Sequence, residues 1–94
     1  MIVRFYVDPE TSQPHIYNHG VTEVEVLQIL HGRGDDRAAA SKTRHKLGQT
    51  WAGRYLRVVY AADPESDGIL VITAYEMKGK NLKAYRRRRR RRYR

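Results

Sequence analysis

Arg86 to Arg92 form an unbroken run of seven arginines, followed by Tyr93 and Arg94. Guanidinium groups at this density repel one another and cannot share a folded interior. Whatever core the chain builds must therefore come from residues 1–85. Those residues carry six Arg and five Lys against ten Asp plus Glu, a net of +1, whereas the last nine residues carry +8. The expected organisation is one near-neutral domain over residues 1–85 and a disordered cationic tail over 86–94, because like charges three and four apart oppose a helix. Each guanidinium can replace a condensed counterion on a polyphosphate and offer it a fork of donors, so nucleic acid, ribosomal RNA included, is the leading partner. An acidic lipid surface or an acidic protein would answer the same charge with less specificity.

At 94 residues the chain has room for a single modest core, so any site must lie on that core's own surface. It contains no cysteine, which excludes disulfides, thiolate nucleophiles and cysteine zinc sites and fits a reducing compartment. Ile2 to Val7 is too short and too interrupted, by Arg4, to be a secretory signal, and no segment approaches the roughly 20 apolar residues that span a bilayer. The expected setting is the cytoplasm, with no membrane partner.

Ile2 to Val7 reads as a first strand with Val3, Phe5 and Val7 facing one way, stopped by Asp8-Pro9. Pro14 to His19 suits a short helix that Gly20 closes in the left-handed conformation. The clearest local signal follows: Thr22 as N-cap, Glu25 as its capping-box partner and Val21 with Val26 as a hydrophobic staple, opening a helix from Glu23 to about His31 that Gly32 ends. Gly34 to Thr43 has no large apolar residue and is expected to be a mobile loop. Arg44 to Thr50 and Arg54 to Ala62 read as a hairpin, and the apolar run Ile69 to Tyr75 as the middle strand of the sheet. Leu82 and Tyr85 have the spacing of a terminal helix whose first turn docks. The order β-α-α-β-β-β-α is that of a compact α+β domain, an antiparallel sheet packed by N-terminal helices and a C-terminal helix.

His15 and His19, four apart, share a helical face, but no third ligand stands at a matching spacing; no metal site and no cofactor are expected. The carboxylates are scattered, and Ser12, Ser41 and Ser66 sit in polar loops without a nucleophile elbow, so neither paired-carboxylate nor triad chemistry is indicated. Basic and aromatic residues make a better case. Arg44 and Lys46 lie on one strand, Arg54 and Arg57 on the next, and Lys78, Lys80 and Lys83 near the terminal helix, with Tyr55, Tyr75 and Tyr85 among them. Rings stack on unpaired bases, while cations hold phosphate and stabilise the charge that develops when a ribose 2′-hydroxyl attacks the adjacent phosphodiester. Strand parity places Arg57 on the face of Tyr55 and Val59, opposite Leu56, Val58 and Tyr60.

Four short pieces, His19-Gly20-Val21, Leu47-Gly48, Gly53-Arg54-Tyr55-Leu56-Arg57-Val58-Val59-Tyr60 and Ile72-Thr73-Ala74, follow one another in an order that resembles the BrnT-like branch of the RelE toxin superfamily. It resembles still more a related bacterial domain family of unknown function. The resemblance implies a RelE/BrnT-like fold and a metal-independent endoribonuclease of a type II toxin and antitoxin pair, acting on RNA on or off the ribosome and covered by a small cognate antitoxin. Arg44, Lys46, Arg57 and Tyr85 are then the expected catalytic residues. RNA contacts are expected from Tyr75, Lys78, Lys80, Lys83 and the arginines Arg86, Arg87, Arg88, Arg89, Arg90, Arg91, Arg92 and Arg94. At one position the chain departs from these toxins, Tyr75 standing where they carry Arg. The alternative is a noncatalytic nucleic-acid-binding module that uses its arginine tail. A protein-interaction domain whose tail meets an acidic partner is supported by charge alone.

Overall fold

In the computed structural model, which describes residues 1–92, the apolar alternation of the strands builds a mixed five-stranded sheet with one α-helix on each face. Strand β1 (Val3–Phe5) is followed by a two-stranded ribbon of β2 (Val7–Asp8) and β3 (Gln13–Pro14), a 3₁₀ helix over His15–His19 and helix α1 (Glu23–His31). Strands β4 (Asp35–Ala38), β5 (Arg44–Gln49), β6 (Tyr55–Ala62) and β7 (Ile69–Glu76) come next, then helix α2 (Gly79–Arg92). The sheet runs β1-β7-β6-β5-β4. Only β1 and β7 pair in parallel, so the expected all-antiparallel sheet is corrected to a mixed one, and its middle strand is β6 rather than β7.

Helix α1 forms where its caps predict. The Thr22 side chain accepts from the Glu25 amide while the Glu25 carboxylate accepts from the Thr22 amide, and Val21 and Val26 are buried together. Gly20 adopts the left-handed conformation at φ 67°, where its amide meets the carbonyls of the short 3₁₀ helix. On the α1 face, Ile16, Val21, Val26, Ile29, Leu56, Val58, Val71 and Ala74 make one core, with Val3 and Phe5 packed at its edge. Val71 and Ala74 have opposite parity, yet both reach this core, because the β6–β7 register shifts between Val59 and Tyr60. On the other face, Tyr85 and Leu82 of α2 pack with Leu47, Met77 and Tyr55.

Three expectations fail on local grounds. The segment taken for a mobile loop contains β4, which pairs with β5 along the whole register Asp35–Leu47 to Ala38–Arg44. It is an edge strand made by its backbone ladder, with Tyr60 and Arg44 both donating to Asp36, and not by apolar burial. The first strand is shorter than expected: Val7 is half exposed and belongs to the ribbon. Third, the arginine run expected to be disordered is helical as far as Arg92; Tyr93 and Arg94, the rest of that expected tail, lie outside the described residues. Arginine is a good helix former, and among the described side chains Arg88 Nε donates to Asp35 at 2.9 Å while Arg86 and Arg89 lie over the rings of Tyr55 and Tyr85.

The β6–β7 turn is locked to β1 by charge. Arg4 donates to both oxygens of buried Asp63, at 2.6 and 2.7 Å, and to Glu65 at 2.8 Å. Asp63 also accepts from the Glu65 amide and the Ser66 hydroxyl. The Arg4 hydrogen bonds, followed by that amide, hold the Asp63 carboxyl far below the usual carboxylate range. A depressed carboxyl contributes stability above its unfolded pKa, about 3.9, and loses it as the pH falls further towards the folded value. Urea midpoints should therefore hold between neutrality and about pH 4 and decline below it, and Asp63→Asn should be less stable at neutrality with a shallower acid decline.

Candidate nucleic-acid interface

The sheet separates the four residues expected to act together. Arg44 and Lys46 lie on the α1 face of β5, while Arg57 and Tyr85 lie on the α2 face. Arg44 Nε is bound to Asp36 at 2.9 Å. Burial opposes the charge on Asp36, but hydrogen bonds from Tyr60 and Arg44 prevail and keep its carboxyl below the ordinary value. Lys46 Nζ donates to the carbonyls of Leu30 and Gly32, at 2.8 and 2.9 Å, and so closes the C-terminus of α1. Tyr85 is fully buried and anchors α2. The expected catalytic set is not brought together.

Arg54, the other strand arginine, is also occupied. It donates to Glu25, to the Gly20 carbonyl and to Glu76, and so ties the start of α1 to the end of β7. Arg57 has a different setting. On the α2 face, Asp35, Leu47, Arg57 and Tyr75 stand in one line across β4, β5, β6 and β7. The Arg57 guanidinium lies 6.0 Å from the centre of the Tyr75 ring, and its Nη1 is 3.3 Å from His45 Nδ1. Burial, and secondly the Arg57 charge, lower the His45 pKa below its ordinary value, so the neutral imidazole is favoured. Arg37, Ala38, Ala39, His45, Leu47 and Arg57 line a groove of about 120 Å³ here.

Helix α2 sorts its cations by face. Leu82, Tyr85, Arg88 and Arg89 turn towards the sheet, whereas Lys80, Lys83, Arg87 and Arg90 are exposed at helical spacing on the opposite side. Lys80 and Arg90 stand about 15 Å apart along the axis. Among the described residues, no carboxylate forms an ion pair with any of these four. Lys78 is exposed just before the helix. Arg86 is exposed but lies over Tyr55. Arg94 and the side chains of Arg91 and Arg92 fall outside the described residues.

No protein-family model matches this chain, and neither does any curated protein or solved structure.

Two further features escaped the sequence reading. Tyr6, His15, His19 and Tyr75 form a row of neighbouring rings that leads to Arg57 and His45. The i, i+4 spacing of the two histidines was the only visible trace of it; their rings stand edge to face, 5.4 Å apart. Among the described residues, no three His, Asp or Glu side chains gather as a metal site. On the opposite face of the molecule, an apolar hollow of about 330 Å³ between α1 and the β5–β6 turn is lined by Val24, Leu27, Gln28, His31, Gly32 and Trp51, with Trp51 89% exposed. No helix among the described residues is long and apolar enough to cross a membrane.

The capping role of Lys46 has a measurable consequence. Lys46→Ala should lower unfolding stability by about 1–2 kcal/mol, the worth of charge-assisted hydrogen bonds in a half-buried place.

Proposed function

We propose that this protein is an RNA-binding module that grips phosphate through the outward face of α2. The observation that carries this reading is the set Lys80, Lys83, Arg87 and Arg90, displayed on one face of a single helix and left without ion pairs among the described residues. By contrast, three arginines of the sheet, Arg4, Arg44 and Arg54, meet carboxylates. Charge alone reads any phosphate backbone. The choice of RNA rests on the resemblance of residues 53–60 to RNA-cleaving toxins.

Counterion release gives the test. Log affinity for a single-stranded RNA should fall linearly with log salt, and each phosphate contact removed should reduce the slope by about 0.7. Lys83→Gln, Arg87→Gln and Arg90→Gln together keep good helix formers while removing three charges, and should cut the slope by about 2. An unchanged slope refutes the helix as the phosphate-binding element.

One observation favours a second reading, the metal-independent ribonuclease of a BrnT-like toxin with a cognate antitoxin. A neutral His45 beside Arg57 pairs a base able to take the ribose 2′-hydroxyl proton with a cation able to stabilise the charge on the attacked phosphate. On that reading, labelled RNA is cut in EDTA, with or without ribosomes, and His45→Ala and Arg57→Ala each abolish cutting. RNA left intact by the wild-type protein under all of these conditions leaves the binding module standing alone.

A further inference from the structure

Tyr6, His15, His19 and Tyr75 come from β1's end, the 3₁₀ helix and β7, and the fold sets them side by side. Ring centres are 6.3 Å apart from Tyr6 to His15, 5.4 Å from His15 to His19 and 6.0 Å from His19 to Tyr75, with neighbouring planes inclined by 57–73°. None of these rings belongs to either hydrophobic core cluster. Tyr6 is 44% exposed and His19 is exposed as well, so the row lies at the surface. Its inner end is cationic, because Arg57 sits over Tyr75 and touches His45. Asp8, the carboxylate nearest the row, is engaged by the Asn18 amide, the Glu10 backbone amide and His15.

Surface rings in series with a guanidinium at one end suit one kind of ligand. A base offers a flat π-face only when it is unpaired; in a duplex the faces are covered by their neighbours. Inclined rings 5.4–6.3 Å apart do not continue a single stack, whose rise is about 3.4 Å, but each can receive a separate base from a strand drawn out along the row. We propose that Tyr6, His19 and Tyr75, ending at Arg57, form a stacking track for unpaired bases, so that the nucleic acid this protein takes is single-stranded. The inference rests on the RNA-binding reading and adds to it: α2 supplies affinity for phosphate, and the ring row supplies the choice between single strand and duplex.

The experiment uses the full chain and two probes of the same sequence, a labelled 12-nucleotide RNA and its 12-base-pair duplex, titrated at several salt concentrations. Wild-type protein should prefer the single strand. His19→Ala with Tyr75→Leu should weaken single-strand binding at least about tenfold, since each ring-to-base stack lost typically costs between about fivefold and a hundredfold, while duplex affinity and the salt slope stay as in wild type. Tyr6→Ala, at an exposed ring, keeps the test open should the double variant not fold, and should weaken only the single strand. Equal affinity of the wild type for both probes, or equal loss on both probes in the ring variants, overturns the track while leaving the helix reading intact. Failure of the wild type to bind either probe at low salt overturns both.

Discussion

The burial of one ring, Tyr85, holds the cationic helix to the rest of the protein. Like-charge pairs three and four apart each cost about 0.2–0.5 kcal/mol, so the arginine run opposes its own helix by on the order of 2 kcal/mol. Burying a ring the size of Tyr85 against Leu47, Met77 and Tyr55 contributes on the order of 2–3 kcal/mol, and Arg88 adds its ion pair with Asp35. The two sides are of similar size, which makes α2 a helix sustained by tertiary contact and not by its sequence alone. Leu47, against which Tyr85 packs, is also the residue that Asp35 faces across the β4–β5 ladder, so the apolar and charged anchors of α2 fall on neighbouring strands of one sheet.

Elsewhere the fold divides its charged groups between architecture and display. Arg4, Arg44, Lys46 and Arg54 each join two elements of the fold, and each has a carboxylate or a helix-end carbonyl as its partner. Such a residue cannot be moved to a ligand without leaving its partner exposed to the cost of an unmet charge or carbonyl. The cations on the outer side of α2 bear no such obligation, and in the ring row His15 alone is tied to a carboxylate, Asp8. Function is thereby assigned to what the architecture leaves over.

Local chemistry was legible in the sequence. The capping box of Thr22 and Glu25, the left-handed Gly20 and the parity that puts Arg57 opposite Leu56 and Val58 each depend on residues within a few positions of one another. What escaped depends on distant partners. Strand β4 carries no large apolar side chain, and only the β5 ladder makes it a strand. The register shift beside Tyr60 redirects Val71 into the core without any mark in the local pattern. Lys46 reads as a free cation until the end of α1 is seen beneath it. The candidate site followed the same rule: the arginine run is plain in the sequence but its helical faces are not, and rings from positions 6, 15, 19 and 75 become neighbours only through the sheet.

Strand β1 lies parallel to β7, Val3 beside Ile69 and Phe5 beside Val71, with the Tyr6 amide extending the ladder to the Val71 carbonyl. This pairing closes a loop of more than sixty residues, and contacts of such long range carry the loop-closure entropy of the chain between them. The ring row straddles that seam. Opening the β1–β7 edge would part Tyr6 from Tyr75, while the 3₁₀ helix that carries His15 and His19 keeps its own packing on β7 through Ile16. The Tyr6 end of the ring row therefore hangs on the longest-range pairing of the sheet, whereas helix α2 docks on Leu47, Tyr55 and Met77.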